Sequence, residues 1–279
     1  MTLGDRIKRY EAVSHFTATA RTPLMIRVDG RAFHTYTRGM ERPFDPRLTE
    51  AMVEAARYVA SEMQGFKAAY IQSDEATFCV TDYDRVESQG WFDYDLMKVV
   101  SISAALMTAR FNQHMGDGKT PVFDARAFSV PASDVVNAFL WRAKDWERNS
   151  LQMYARAHFS HQQLHGKKRQ AVHDMLHGIG RNWTTELSPQ QKNGTFLIQG
   201  EDGITERHDI RPTNSDIHAA IGRLFGVDAD LLQNRAAQSD RCQRCNGFGD
   251  IMPGPGGYMD ECPDCEGSGR TPFSRAPGE

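Results

Sequence analysis

The chain of 279 residues has no run of about 18 consecutive apolar residues, so no membrane-spanning helix is expected. Its N-terminal MTLGDRIKRYE has no apolar segment of the kind a secretory signal needs, and a cytoplasmic location is the expectation. A large excess of one charge is also missing. Lys and Arg number 33 against 36 Asp and Glu, for a net charge of −3. That balance excludes a protein coated in basic residues but still allows a local basic face. Two short basic stretches, RIKR near the start and HGKKR at 165–169, read first as solvated surface. Cysteine is scarce: the first 241 residues hold only Cys79, whose apolar surroundings in TFCV mark it as a buried core thiol.

What remains is an ordinary globular composition, 40% hydrophobic and 25% charged, long enough for one large domain or two smaller ones. Residues 24–28 (LMIRV) read as a short strand. A helix is expected over 46–63, with Asp45 as its cap and Pro46 at its first position. Leu48, Met52, Ala55, Val59 and Met63 then recur at helical spacing and face a core. AAYIQSDEATFCV reads as two strands around a polar tip, Gln72-Ser73-Asp74-Glu75. A helix over 95–112 capped by Asp95, a strand over 123–130, a long helix from Ser133 past Asn149 and a strand over 195–199 follow. The order predicts an α+β fold, a mostly antiparallel sheet with helices on one face. Four segments are expected: a catalytic domain over 1–200, a polar, partly helical connector over 201–240, a cysteine-rich module over 241–270, and a flexible tail over 271–279.

The chemistry gathers at the ends of two expected strands. Asp29 closes the first, where Asp29-Gly30 reads as a bend, and Asp74 and Glu75 occupy the hairpin tip. If these strands are neighbours, the carboxylates converge. Such a pair can hold two Mg²⁺ ions, which accept few protein carboxylates and take other ligands from water and phosphate. Gly30, without a side chain, would let a carbonyl or a phosphate come close. Taken singly, Asp-Gly is a turn and Ser-Asp-Glu a solvated loop.

The surrounding segments narrow the choice. LGDRIKRYE, IRVDGRAFH, RPFD, AYIQSDEATF, FDARAF and WRAKDWERNS, in that order, resemble the tRNA-His guanylyltransferase-like 3′–5′ polymerases over residues 3–200. The resemblance implies a catalytic domain like the palm of ordinary polymerases. It implies metal binding by Asp29, the Gly30 carbonyl and Asp74, with Glu75 assisting. It implies nucleotide contacts from Asp29, Gly30, Arg31, Ala32, Phe33 and His34, from Arg42 and Asp45, from Ser73 and Asp74, and from Lys98 and Asn149. Arg31 and Arg42 suit bidentate phosphate contacts and Lys98 a point charge. Arg31 could equally pair with Asp45 or Glu75, and His34 could be a core histidine beside Phe33. Where eukaryotic members carry a His-Ile-Asn-Asn run, this chain has Trp146-Glu147-Arg148-Asn149-Ser150, which resembles the bacterial-type members. Trp141 and Trp146 read as packing residues.

The remaining cysteines form CQRCNGFG and CPDCEGSG, similar to the cysteine-rich repeat of DnaJ-type chaperones. Cys242, Cys245, Cys262 and Cys265 have the spacing of a tetrahedral Cys₄ zinc site, and metal would supply the folding energy of a segment too short for its own core. A redox dithiol lacks a thioredoxin-like setting, and a disulfide pair is disfavoured in the cytoplasm.

The expected activity is template-dependent 3′–5′ addition of nucleotides to the 5′ end of tRNA or a tRNA-like RNA, with GTP or ATP as substrates, two Mg²⁺ ions and one structural Zn²⁺. The resemblance also implies a homo-oligomer, a dimer or tetramer. Two alternatives stand beside it: a two-metal enzyme acting on free nucleotides, and a zinc-dependent binding module with an inactive catalytic domain.

Overall fold

The computed structural model describes residues 1–226 and, beyond them, the backbone of residues 250–251 and 260–261. The chain divides into two compact units, Met1–Val227 and Asp228–Glu279. No helix among the described residues is long and apolar enough to cross a membrane.

Helix α1 (Leu3–Glu11) opens the first unit and strand β1 (Leu24–Gly30) follows. After the single turn α2 (Phe33–Tyr36) comes helix α3 (Pro46–Glu62). It starts where expected, because the Asp45 carboxylate accepts from the Arg47 backbone N–H at 3.0 Å and Pro46 needs no donor there. The hairpin of β2 (Phe66–Gln72) and β3 (Glu75–Val80) leads to α4 (Leu96–Met115). Asp95 caps α4 by accepting from the Lys98 N–H at 3.1 Å, and Gly116 ends it in a left-handed conformation, φ 56°. Strand β4 (Phe123–Ser129) and helix α5 (Ala132–Arg156) come next. Helices α6 (His161–Leu164), α7 (Arg169–Gly178), α8 (Trp183–Glu186) and α9 (Pro189–Asn193) then lead to β5 (Thr195–Gly200), β6 (Gly203–Arg207) and α10 (Asn214–Ile221).

The sheet has six strands in the order β4-β1-β3-β2-β5-β6, antiparallel at every pairing. On one face Leu24, Ile26, Val28, Ala69, Ile71, Phe78 and Val80 join a core with Met52, Ala55 and Val59 of α3 and Val99, Met107 and Phe111 of α4. The other face is not bare, which corrects the expectation of helices on one side only. Phe139 of α5 packs against Phe196 of β5, which also meets Tyr70 of β2, and α5 clamps Glu75 of β3. Every residue of β3 is buried as a result, and the unbroken run EATFCV follows from covering on both faces rather than one.

Two further differences concern boundaries. The stretch expected as a connector from residue 201 contributes β6, which pairs along β5, and α10, which packs on α5, so residues 201–226 belong to the first unit. In the second unit, β7 (Asp250–Ile251) and β8 (Asp260–Glu261) pair antiparallel, Asp250 opposite Glu261. Cys242, Cys245, Cys262 and Cys265, and the 271–279 tail, lie outside the described residues. Cys79 is fully buried, and burial pushes its thiol far up, as a core role requires.

Candidate metal and nucleotide site

Strand register brings the two acidic tips together. Asp29 lies opposite Glu75 of β3 on one side and Asp124 of β4 on the other. At the hairpin tip Ser73 takes a left-handed turn, φ 46°, and its hydroxyl donates to Asp74 Oδ1 at 2.8 Å. The Gly30 N–H donates to the Asp74 carbonyl at 2.9 Å and ties β1 to the tip. The bend expected at Asp29-Gly30 is displaced. Both residues continue the β1 ladder, and the chain turns at Arg31-Ala32, where Ala32 has φ 55°. Gly30 is required for packing: a Cβ there would stand 2.3 Å from the Phe33 ring.

The electrostatics separate the three acids. Burial, then the charges of Asp74, Glu75 and Asp124, push the Asp29 carboxyl above the usual carboxylate range, and Arg126 opposes them only in part. Burial likewise raises Asp74, against the Ser73 hydrogen bond. Neither has an ion-pair partner among the described residues. Glu75 does: Arg142 of α5 grips it with Nε to Oε1 at 2.7 Å and Nη2 to Oε2 at 2.6 Å, and Gln72 Nε2 donates to Oε1 at 3.1 Å. Glu75 is therefore spoken for, while Asp29 and Asp74 form an uncompensated pair. No cluster of three or more His, Cys, Asp or Glu suited to a metal occurs among the described residues. A cation here would rest on two carboxylates and backbone, completed by water or phosphate oxygens, a donor set that suits Mg²⁺.

Two clefts meet at the tip. One, of about 320 Å³, is lined by Asp29, Ser73, Asp74, Asn149 and Arg156. The other, of about 700 Å³, contains His34, Arg42 and Asp45, and shares Ser73, Trp146 and Arg156 with the first. His34 and Arg42 are exposed in it, so His34 is not a core histidine. Arg31 is exposed and pairs with neither Asp45 nor Glu75; Asp45 instead receives the backbone N–H groups of Glu41 and Arg47. The Phe33 ring belongs to the core, packed with Tyr36, Phe111 and Phe123, which leaves only its backbone for a nucleotide. Lys98 lines neither cleft; it sits in the first turn of α4, where its backbone N–H donates to Asp95.

Sequence reasoning missed Asp124 and Arg142. Asp124 stands in FDARAF, and only the β1–β4 register sets it beside Asp29. Trp146 is buried as expected at 5% exposure, but Trp141, expected to pack, is 58% exposed.

Residues 4–131 match the model of a family described as tRNAHis guanylyltransferase (Thg1). The tRNA(His) guanylyltransferase of Schizosaccharomyces pombe is 32% identical over 160 residues, 53% of this chain and 57% of that protein. The chain spans about half the length of the curated relatives it matches. Among solved structures, a bacterial tRNA(His) guanylyltransferase-like protein in complex with ATP is 37% identical, with a TM-score of 0.76 over 80% of this chain and 99% of that one. A second, in complex with GTP, is 32% identical, with a TM-score of 0.68 over the same shares. The likeness runs along all but a small part of both solved chains and through the strands that carry Asp29 and Asp74, and the chain belongs to the tRNAHis guanylyltransferase family.

Proposed function

We propose that this protein adds nucleotides, template-dependently and in the 3′–5′ direction, to the 5′ end of tRNA or a tRNA-like RNA. The observation that carries this reading is the unpaired, partly buried Asp29–Asp74 couple at the meeting of two clefts. One cleft offers the exposed side chains of Arg42 and His34 to an incoming triphosphate; the other offers Asn149 and Arg156 to the RNA end. The related solved structures bind ATP and GTP, which supports a nucleoside triphosphate as substrate here. Two Mg²⁺ ions, held by Asp29, Asp74 and the Gly30 carbonyl, would supply Lewis-acid activation of the attacking 3′-hydroxyl and charge neutralisation at the activated 5′ phosphate. The protein's own part is positioning. Arg142 and Gln72 hold Glu75, the neighbour of Asp74, and Ser73 orients the Asp74 carboxylate. No side-chain nucleophile is needed. The absence of the eukaryotic histidine before Asn149 favours 5′-end repair over dedicated tRNA-His guanylylation.

A tRNA transcript lacking its first nucleotide, incubated with each labelled triphosphate separately, tests the reading. Labelled RNA, with the added base complementary to the opposing one, is the expected result. Label in a small cyclic product alone points to an enzyme of free nucleotides, and incorporation that ignores the opposing base refutes template dependence.

For the second unit we propose one structural zinc held by Cys242, Cys245, Cys262 and Cys265. The β7–β8 pairing, which lies between the two cysteine pairs in sequence, supports two knuckles joined by a hairpin.

A further inference from the structure

Helix α5 covers the centre of the second sheet face but leaves β4 open, where Asp124, Arg126 and Phe128 are exposed. Arg27 and Asp29 are two residues apart on that face, about 7 Å along β1. Register places Arg126 beside Arg27 and Asp124 beside Asp29, and both β4 side chains are exposed. Trp141 of α5 stands beside Arg27.

The surroundings of Trp141 are cationic. Arg142 Cζ lies 4.6 Å from the centre of the indole and Arg27 Cζ 5.6 Å. Both guanidinium groups also reach one oxygen of Glu75, Arg142 at 2.6 Å and Arg27 at 3.9 Å. Both guanidinium groups therefore approach the indole from the side of Glu75, and the rest of the side chain is open to solvent. Trp141 is 58% exposed, while Trp91, Trp146 and Trp183 are each 5% exposed.

We propose that Trp141 is the stacking platform for the terminal base at the 5′ end of the acceptor RNA, flanked by the exposed Arg126 toward the RNA backbone. A π face polarised by guanidinium groups accepts any base, which suits an enzyme that must receive 5′ ends of different sequence. Arg126 offers an exposed guanidinium for the RNA phosphates, with Asp124 beside it. Arg27, beside the indole, shares one strand face with Asp29, so a base on Trp141 places its 5′ phosphate toward the acidic couple. The exposed Arg42 and His34 of the larger cleft are left for the incoming triphosphate. This assignment rests on the proposed RNA substrate and deepens it.

The test uses the full chain and two RNAs: a tRNA transcript lacking its first nucleotide, and the same sequence closed into a circle, which has no 5′ end. Trp141 is the tryptophan most open to solvent, so its emission reports the contact, and Trp141→Phe identifies that component. Expected is quenching of the Trp141 component by the linear RNA and not by the circle or by GTP or ATP alone. Trp141→Ala weakens linear-RNA binding about five- to hundredfold and raises the KM for RNA in proportion, with the KM for nucleotide unchanged. Trp141→Phe recovers most of the affinity. Equal quenching by circular RNA, quenching by free nucleotides alone, or undiminished RNA binding by a folded Trp141→Ala would each overturn the assignment. Fluorescence and binding do not require turnover. An inactive wild-type chain that still shows 5′-end-dependent quenching would refute the nucleotide addition and leave the stacking platform standing.

Discussion

Asp29 and Asp74 sit where their ionised forms cost stability. Their folded-state carboxyls hold a proton more tightly than in the unfolded chain, so their contribution to stability is complete below the ordinary value of 3.8 and is lost as pH rises through the raised folded value. At pH 7 the ionised couple opposes folding. Asp29→Asn and Asp74→Asn should each raise the thermal midpoint at pH 7 in EDTA, and the gain should vanish below about pH 4, where the wild-type acids are protonated. Differential scanning calorimetry across pH measures this. Asp29→Ala and Asp74→Ala should abolish nucleotide addition while RNA binding survives, and turnover at the wild-type rate by either would remove the metal assignment. Gly30→Ala drives a methyl group into the Phe33 ring and should shift β1 or lower stability, read as a fall in thermal midpoint.

Between elements, the Arg142–Glu75 fork joins α5 to β3, and each side chain is 11% exposed. Removing one partner strands a nearly buried charge, so Arg142→Ala should lose about 3 kcal/mol in urea unfolding, and Arg142→Lys should recover only part, since an ammonium cannot reproduce the fork. At the start of α3, Asp45→Ala should cost about 1 kcal/mol through the lost cap. This cost bears on function too, because the same turn presents Arg42 to the larger cleft. Element starts were legible from the chain itself. Asp45-Pro46 and Asp95 announce helices through local hydrogen bonding, which needs no tertiary partner. The second-face helix was not legible, because α5 is amphipathic whichever sheet face it covers.

For the whole molecule, the chain divides after Val227, and the proposed zinc belongs to the second unit. Metal analysis of freshly purified, reduced protein should find one zinc per chain. A chelator should remove it and lower the stability of the second unit while the first keeps its thermal midpoint. A protein isolated without zinc would dismiss the Cys₄ site. Within the first unit, the boundary expected near residue 200 failed for a physical reason. Residues 201–226 are polar on average, but β6 needs only a free strand edge on β5, and α10 needs only Ile217 and Ile221 to bury.

The amino-acid order alone determined the strands and helices whose signals are local. It also determined which acids are available: Asp29 after an apolar run, Asp74 and Glu75 at a hairpin tip, and four cysteines in two C-x-x-C pairs. Tertiary structure decided which of these meet and what each is free to do. Antiparallel register set Asp124 beside Asp29, and Arg142 arrived from a distant helix to occupy Glu75. It also turned Trp141 outward, since a helix facing a sheet buries one stripe and leaves the neighbouring position on α5 to solvent. Partnership is non-local, and a carboxylate is a metal ligand or a structural anchor according to whether a cation already holds it.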